Sequence, residues 1–355
     1  MSVGGPAADT QHRAAGGSAL SDPSVSVVMP TYQRRAMLEQ VIAPLLATPD
    51  ALEVIVVVDG SRDGSLELLE QIARGDPRLR PLFIENQGMV QARLHGARAA
   101  RGDVVLLLDD DVELEPGAIE AHARVHRNRG AIVAVGAMPV AGGGQHGPHD
   151  YPRALYAREY DRHLRAWMDD PASVLATFWE GNVSIRRSDL LALPDPALPE
   201  IGRAYHCDVD FGLRCLDAGL RGLYVADARG LHRFSRSPEQ FIADARSSGR
   251  GLLLVHAAHR RQLGELREER LLGSLPGPLG RLAKLAVVRP VPRGAIAGLV
   301  EILGRAGLYR AQRRAASVLR VTEQVREVRR RRATGRPVVP AAPSPRDAPV
   351  ERGVL

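Results

Sequence analysis

Four short apolar runs follow the first two dozen residues: Val25–Met29, Val54–Val58, Leu82–Ile84 and Val104–Leu108. They are β-branched or leucine-rich and do not alternate with polar positions, the pattern of strands buried on both faces of a parallel sheet. Between them, Arg34–Ala47, Ser65–Arg74 and Met89–Ala100 have helical length and mixed polarity. The repeated strand-then-helix order predicts an α/β fold with a Rossmann-like doubly wound sheet and right-handed crossovers. A helix over Pro116–Asn128 and a strand over Ala131–Val135 continue the series.

Beyond this the pattern loosens. Ala141–Asp150 is rich in Gly and His and reads as a loop. Helical patterns return over Arg153–Met168 and Val209–Ala218, with short strands near Leu175–Trp179 and at Leu223–Ala226. Pro238 opens a helix expected to run to about Leu272, and Pro276 and Pro278 break the chain after it. A last amphipathic stretch spans Gly294–Arg332, with Leu299, Ile302, Leu303, Leu308, Val318 and Leu319 at helical spacing. The expected organisation is a disordered tail over residues 1–23, an α/β domain over 24–240, a helical, basic region over 241–336, and a disordered, Pro-rich tail over 337–355.

Composition narrows the class. Aromatic residues make up only 4% of the 355-residue chain, so aliphatic side chains must fill the core. The two cysteines, Cys207 and Cys215, make no disulfide framework and no metal knuckle, and a reducing cytoplasm is the natural setting. No run is long and apolar enough to span a bilayer, and the N-terminal tail lacks the apolar core of a signal peptide. The net charge of +7 gathers in the last third, in Arg313, Arg314, Arg320, Arg326 and the run Arg329–Arg332. Such a segment is either a solvated Arg-rich helix or a contact for an anionic membrane surface, which would place the protein peripherally at the inner face of the membrane. Nucleic acid is not an expected partner.

The strongest chemical signal is the run Val104–Leu108 followed at once by Asp109, Asp110 and Asp111. Parallel sheets bind ligands outside the carboxyl ends of their strands. Three adjacent carboxylates there repel one another, and a hard divalent cation relieves that repulsion. Asp109 and Asp111 both lie at the strand exit: one can reach a metal directly, the other a metal or a sugar hydroxyl. Mg²⁺ or Mn²⁺ at such a place would bridge two phosphates of a nucleoside diphosphate. A solvated acidic turn is the plain alternative. A calcium loop is another, but Leu114 stands where that loop needs glycine. Two other strand ends fall on the same edge. The first runs into Pro30, Thr31 and Tyr32, which could wall a base pocket, and the second into Asp59, Gly60 and Ser61, with Asp59 placed to accept a hydrogen bond from a base or ribose.

Taken in order, these motifs resemble the family-2 glycosyltransferases of the GT-A fold. The resemblance is carried by Val25 to Tyr32, Asp59-Gly-Ser, Asn86-x-Gly88 with Ala92, Arg93, Gly96 and Gly102, Leu108 to Asp111, Gly181-Asn182, Arg186-Arg187, Asp208 with Arg214 and Gly219, and His232. It implies an inverting enzyme that uses a nucleotide-sugar donor, UDP-linked in the first instance, on an acceptor that is a glycan, a lipid-linked or a small molecule. By that resemblance Pro30, Thr31, Tyr32 and Asp59 line the nucleotide pocket, with Asp110 beside them, and Arg93 approaches the diphosphate or donor. Asp109 and Asp111 form the Asp-x-Asp pair, Asp208 matches the general base, and His232 matches a metal-ligating histidine. The pattern departs at Cys207, where the family has a glutamate, and at Leu94, where an asparagine often follows the arginine.

The residues themselves agree with that reading. Inversion at an anomeric carbon needs one carboxylate to take the acceptor's proton, and a diphosphate leaving group needs a cation rather than an acid. Asp208 precedes an apolar helix and could instead be its cap, and Asp210 is a second candidate for the base. His232 could be structural, and Trp179 could be core or a platform for a sugar ring. The competing function is a binding protein for nucleic acid or an anionic membrane surface through the basic C-terminal segment. Such a module has no need of Asp59, Asp109, Asp111 and Asp208 on one sheet edge. A phosphohydrolase would need an aspartate after its first strand, where this chain has Pro30-Thr31-Tyr32.

Overall fold

A computed structural model describes residues 22–127, 129–144, 147–275, 277–288 and 293–334. The tails expected at residues 1–23 and 337–355 lie outside these, apart from Asp22 and Pro23. The chain begins with β1 (Val25–Thr31), α1 (Arg35–Ala47), β2 (Glu53–Asp59), α2 (Ser65–Ala73), β3 (Leu79–Ile84), α3 (Met89–Ala99) and β4 (Val104–Leu108). Next come β5 (Val112–Leu114), α4 (Ala118–His126), β6 (Ile132–Ala137), α5 (Tyr151–Asp169), β7 (Asn182–Arg186), α6 (Arg187–Ala192), α7 (Cys207–Asp217) and β8 (Arg221–His232). Six helices close the described chain: α8 (Pro238–Ala258), α9 (Arg260–Leu263), α10 (Glu268–Gly273), α11 (Gly277–Val288), α12 (Arg293–Arg305) and α13 (Tyr309–Ala333).

The sheet order is β3-β2-β1-β4-β7-β6-β8-β5. The expected parallel half is present, with Val27 registered against Val54 on one side and Leu106 on the other. Every residue of β1, β2 and β4 is buried, as their unbroken apolar runs require. Val27, Val54, Val56 and Leu106 pack toward α1 and α2, while Val28, Ile55, Val57 and Val105 belong to the core on the opposite face, with Ala92 and Ala97 of α3.

The second half of the sheet is mixed. β7 runs antiparallel to both β4 and β6, and β5 antiparallel to β8. The strand expected near Leu175–Trp179 is not formed, and the pairing with β4 is made by Asn182–Arg186. Its apolar residues are used as plugs: Leu175 and Phe178 fill the core under β7 without joining the sheet. The short strand at Leu223–Ala226 extends to twelve residues in β8 because it pairs first with β6 and then with β5.

The helical region also departs from the pattern. α8 starts where expected, with Ser237 and Gln240 closing a capping box, but stops at Ala258. Gly307, at φ 71, splits the final amphipathic stretch into α12 and α13. The residues grouped on one apolar face therefore separate. Val318 and Leu319 are buried, 5% and 1% exposed, whereas Leu299, Ile302 and Leu308 stand 48%, 64% and 54% exposed. α13 packs on α8 and α5 through Arg320 to Glu159 at 2.5 Å, Arg246 to Glu323 at 2.7 Å and a hydrogen bond from Gln324 Nε2 to Ser248 Oγ at 2.8 Å. The arginine run is largely partnered: Arg329 with Glu268, Arg330 and Arg331 with Glu327, and Arg332 with the Leu266 carbonyl. Among the described residues no helix is long and apolar enough to cross a membrane.

Candidate functional site

The C-terminal ends of β1, β2 and β4 bring Thr31, Asp59 and Asp109 to one edge of the sheet. Because β7 is antiparallel to β4, its N-terminal end lies there too. Leu108 is registered with Asn182, and the Asp109 N–H donates to the Gly181 carbonyl at 3.0 Å. Gly181 sits at φ +129, and a Cβ on it would stand 2.9 Å from Asp109 Oδ2, so the close approach depends on glycine.

That pairing delivers Glu180 to the site. Arg93, 4% exposed, donates to Asp109 Oδ1 at 2.7 Å and forms an ion pair with the buried carboxylate of Glu180. Burial works against charge on both partners, and burial, the larger influence on Glu180, pushes its carboxyl above the ordinary value despite Arg93. On Arg93 the two carboxylates prevail over burial, and the guanidinium is held charged. The sequence gives Glu180 no signature beyond an acid ahead of Gly-Asn, so this contact with Arg93 is not legible from it.

Asp208 lies in the first turn of α7. It does not cap the helix: the residue at that boundary is His206, at φ 72, and the Asp208 carboxylate accepts its neighbour's Val209 N–H, at 2.9 Å. The carboxylate is partly exposed, but to a deep cavity rather than to open solvent. Burial first, then the charge of Glu180, raise it to about 7. Cys207, in the place of the expected glutamate, is buried in an apolar cluster, and Glu180 supplies the neighbouring carboxylate instead. Asp210 is unsuited to act as the base. It is fully buried, with Arg214 at 2.8 Å and His259 Nε2 at 2.8 Å.

The acidic triplet divides. Asp109 faces the cavity on Arg93. Asp110 accepts a hydrogen bond from Thr31 Oγ1 at 2.7 Å and is raised by burial to about 6. Asp111 turns to His232, with Oδ1 and Nε2 3.2 Å apart, and its other oxygen lies 3.3 Å from Arg34 Nη2. Burial opposes its charge, but the His232 hydrogen bond and the surrounding cations hold the Asp111 carboxyl below the ordinary value. One carboxylate and one imidazole, both buried and facing each other, form a donor set that suits Mn²⁺ once phosphate oxygens join it. His232 Nδ1 is buried without a hydrogen-bond partner. Among the described residues no three acidic, His or Cys groups converge, and Asp109, expected as a third ligand, bonds to Arg93 instead.

Asp59 does more than was read from sequence. Its two oxygens accept the backbone N–H groups of Gln87 and Gly88, at 2.6 and 2.8 Å, and so fix the loop leading into α3 and Arg93. Tyr32 is half exposed at the cavity mouth, while Pro30 and Thr31 are buried in β1 behind it. Trp167 is core. Trp179 is half-buried on the cavity wall, where Nε1 donates to Tyr156 OH at 2.9 Å and the rings of Tyr156 and His163 pack edge-on. Arg233 turns away to Glu113, at 2.5 Å, and Arg236 to Asp244, at 3.0 Å. Tyr32, Asp59, Arg93, Asp109, Glu180 and Asp208 all line one cavity of about 1660 Å³. Single small-ligand pockets run to roughly 1,000 Å³, so there is room for two substrates.

Residues 26–189 match the model of the family described as glycosyl transferase family 2. Over 135 residues the chain is 32% identical to the glucosyl-dolichyl phosphate glucuronosyltransferase of Haloferax volcanii, spanning 37% of this chain and 43% of that protein. Over 101 residues it is 38% identical to the undecaprenyl-phosphate 4-deoxy-4-formamido-L-arabinose transferase of Aeromonas hydrophila, spanning 27% and 31%. The chain thus covers less than half the length of these curated relatives. A mannosyltransferase from Pyrobaculum calidifontis, solved with GDP-Man and Mn²⁺, superposes with a TM-score of 0.53 at 17% identity, over 87% of this chain and 88% of that one. At that identity the match establishes a shared fold.

Proposed function

Residues 26–189 belong to glycosyl transferase family 2 and the chain has a GT-A-type fold, and from this premise we propose that the protein transfers a sugar from a nucleotide-sugar donor to an acceptor hydroxyl with inversion. The observation that carries the reading is that Asp208 shares one cavity with Tyr32, Asp59, Arg93 and Asp109. The donor's nucleotide lies at the strand ends, against Tyr32 and the loop that Asp59 fixes. Asp111 and His232 would hold Mn²⁺ or Mg²⁺, and the ion would supply charge stabilisation to a departing diphosphate. Arg93 keeps Asp109 in place to meet the donor.

Asp208 takes the proton of the acceptor hydroxyl as that oxygen bonds to the anomeric carbon. The bond from the anomeric carbon to the diphosphate oxygen breaks on the opposite face, and the nucleoside diphosphate leaves. A carboxyl raised to about 7 is matched to this task near neutral pH, being basic enough to take the proton and still substantially ionised. The Trp179 wall and the room beyond Asp208 belong to the acceptor.

The test is a screen of nucleotide sugars, UDP-linked donors first, for hydrolysis and transfer with Mn²⁺ and with EDTA. Asp208→Asn serves as the paired variant. Turnover of one donor that needs Mn²⁺ and is lost in Asp208→Asn is the expected result. No turnover of any donor by the wild-type chain would overturn the reading.

A further inference from the structure

The cavity does not end at Asp208. It continues between α5, α8 and α13, where Arg158 and Arg162 of α5 and Arg310 and Arg314 of α13 line it. Each pair is spaced four residues apart on its helix, and so on one face of it. Among the described residues none of these four makes an ion pair or hydrogen bond. The carboxylates on this stretch of wall are already neutralised, Glu159 by Arg320 at 2.5 Å and Asp244 by Arg236 at 3.0 Å. An excess of positive charge is therefore left facing a concave space.

An Arg-rich composition does not explain this. The densest basic run of the chain, Arg329–Arg332, is tied to Glu268, Glu327 and a carbonyl. The cavity arginines are left with their forks open, and a guanidinium fork matches the oxygens of a phosphate in geometry and charge. Beside them the wall turns apolar, with Leu252, Leu271, Leu275, Leu279 and Val321.

Resting on the transferase reading above, we infer that the far half of the cavity is the acceptor site and that it takes an acceptor bearing a phosphate group, gripped by Arg158, Arg162, Arg310 and Arg314. The donor's diphosphate belongs to the strand ends, so this is a second, separate anion site. The apolar wall accommodates an alkyl chain on the same molecule, and a soluble sugar phosphate presents the same anion without it.

Three probes separate these cases by calorimetry on the full chain at low salt: dodecyl phosphate, glucose 1-phosphate, and dodecyl glucoside as the uncharged control. At least one phosphate probe binds the wild type, at least tenfold more tightly than dodecyl glucoside, and its affinity falls as salt is raised. R310Q/R314Q and, separately, R158Q/R162Q weaken that probe at least tenfold, and by more than they weaken UDP with Mn²⁺. Two independent exposed pairs guard against one variant failing to fold. Preference for dodecyl phosphate assigns a lipid-like acceptor, and equal binding of the two phosphates a soluble one. The inference is overturned if neither phosphate binds the wild type, if the variants bind the probe unchanged, or if they lose UDP to the same degree, which would assign the arginines to the donor. A wild type that binds the phosphates but hydrolyses no nucleotide sugar would instead remove the transferase reading and leave an anion site.

Discussion

Arg93 donates to Asp109 at 2.7 Å while the same guanidinium lies against Glu180, so one buried cation joins the ends of β4 and β7. Removing it strands two carboxylates, one of them buried. Breaking a buried pair from one side costs about 3–5 kcal/mol. Arg93→Met is accordingly expected to lose about that much stability in urea unfolding, and Glu180→Gln less, because Asp109 still answers the arginine. A loss under about 1 kcal/mol for Arg93→Met would mean that water reaches these groups.

The pH profile should report Asp208. Burial, then Glu180, raise its carboxyl to about 7, so the base is progressively protonated below that pH. The expected kcat/KM profile loses activity on the acid side with a midpoint near 7. Glu180→Gln removes the second cause and should move the midpoint to lower pH. The sign for stability is opposite. A raised carboxyl favours the folded state while protonated, and that contribution is lost as pH rises through about 7. Asp208→Asn, which cannot ionise, should show a smaller fall in Tm between about pH 6 and pH 8 than the wild type. An acid limb near 4 in the wild type would remove Asp208 from the role.

Two aspartates in one helical turn should give opposite phenotypes. Asp208→Asn keeps the shape and removes the base, so transfer should fall about 10²–10⁴-fold with donor affinity nearly intact. Asp210→Asn weakens the contacts to Arg214 and His259 that tie α7 to the end of α8. It should lower Tm and leave the turnover of the remaining folded protein within a fewfold of normal. Equal losses of turnover in both variants would break the assignment.

The first half of the fold was legible because β1, β2 and β4 are buried on both faces and so leave unbroken aliphatic runs. β7 was misplaced because its partner runs antiparallel and its pairing residues, Asn182 and Ser184, are polar. Those two bond to His122 and His126 inside the core, a cluster that no hydropathy pattern marks. The site was legible where carboxylates follow strands, as at Asp59 and Asp109, and at Asp208 through family likeness. Glu180 was not, because only the antiparallel register brings residue 180 beside residue 109. The split between Asp109 on Arg93 and Asp111 on His232 was likewise hidden, since adjacent residues in sequence face different partners.

The metal reading rests on Asp111 and His232. Calorimetry should find UDP bound at least tenfold more tightly with Mn²⁺ than with EDTA. His232→Ala should shrink that ratio and leave the affinity measured in EDTA unchanged. Asp109→Asn should reduce it less, because Asp109 answers Arg93 rather than His232. Equal affinity with and without the cation in the wild type would end the metal role.

The C-terminal helix bears on Asp208 through a short chain of contacts. Gln324 of α13 donates to Ser248 Oγ of α8 at 2.8 Å, and the same hydroxyl lies 2.8 Å from His206 Nε2, two residues before Asp208. His206 is held at a positive φ, a backbone state that persists only where its surroundings enforce it. α8 also presses on this turn so closely that a Cβ on Gly251 would meet the Tyr205 carbonyl oxygen at 1.9 Å. A chain ending at Leu275 lacks α13 and uncovers Leu253 of α8, which packs with Val328, so it should lose Tm, transfer and donor hydrolysis together. Full donor hydrolysis in that truncation would show that the catalytic turn stands without α13. The apolar face of α13 is spent on the protein, so a membrane contact, if the chain makes one, lies outside that face. Leu282 and Leu285 are exposed on α11 among Arg281 and Lys284, a pairing of apolar and cationic side chains suited to an anionic lipid surface. If that pair enters a lipid surface, co-sedimentation with anionic vesicles at low salt should retain the full chain and release L282S/L285S, whose fold is expected to be unchanged. A wild type that stays in the supernatant would exclude this surface as a membrane contact.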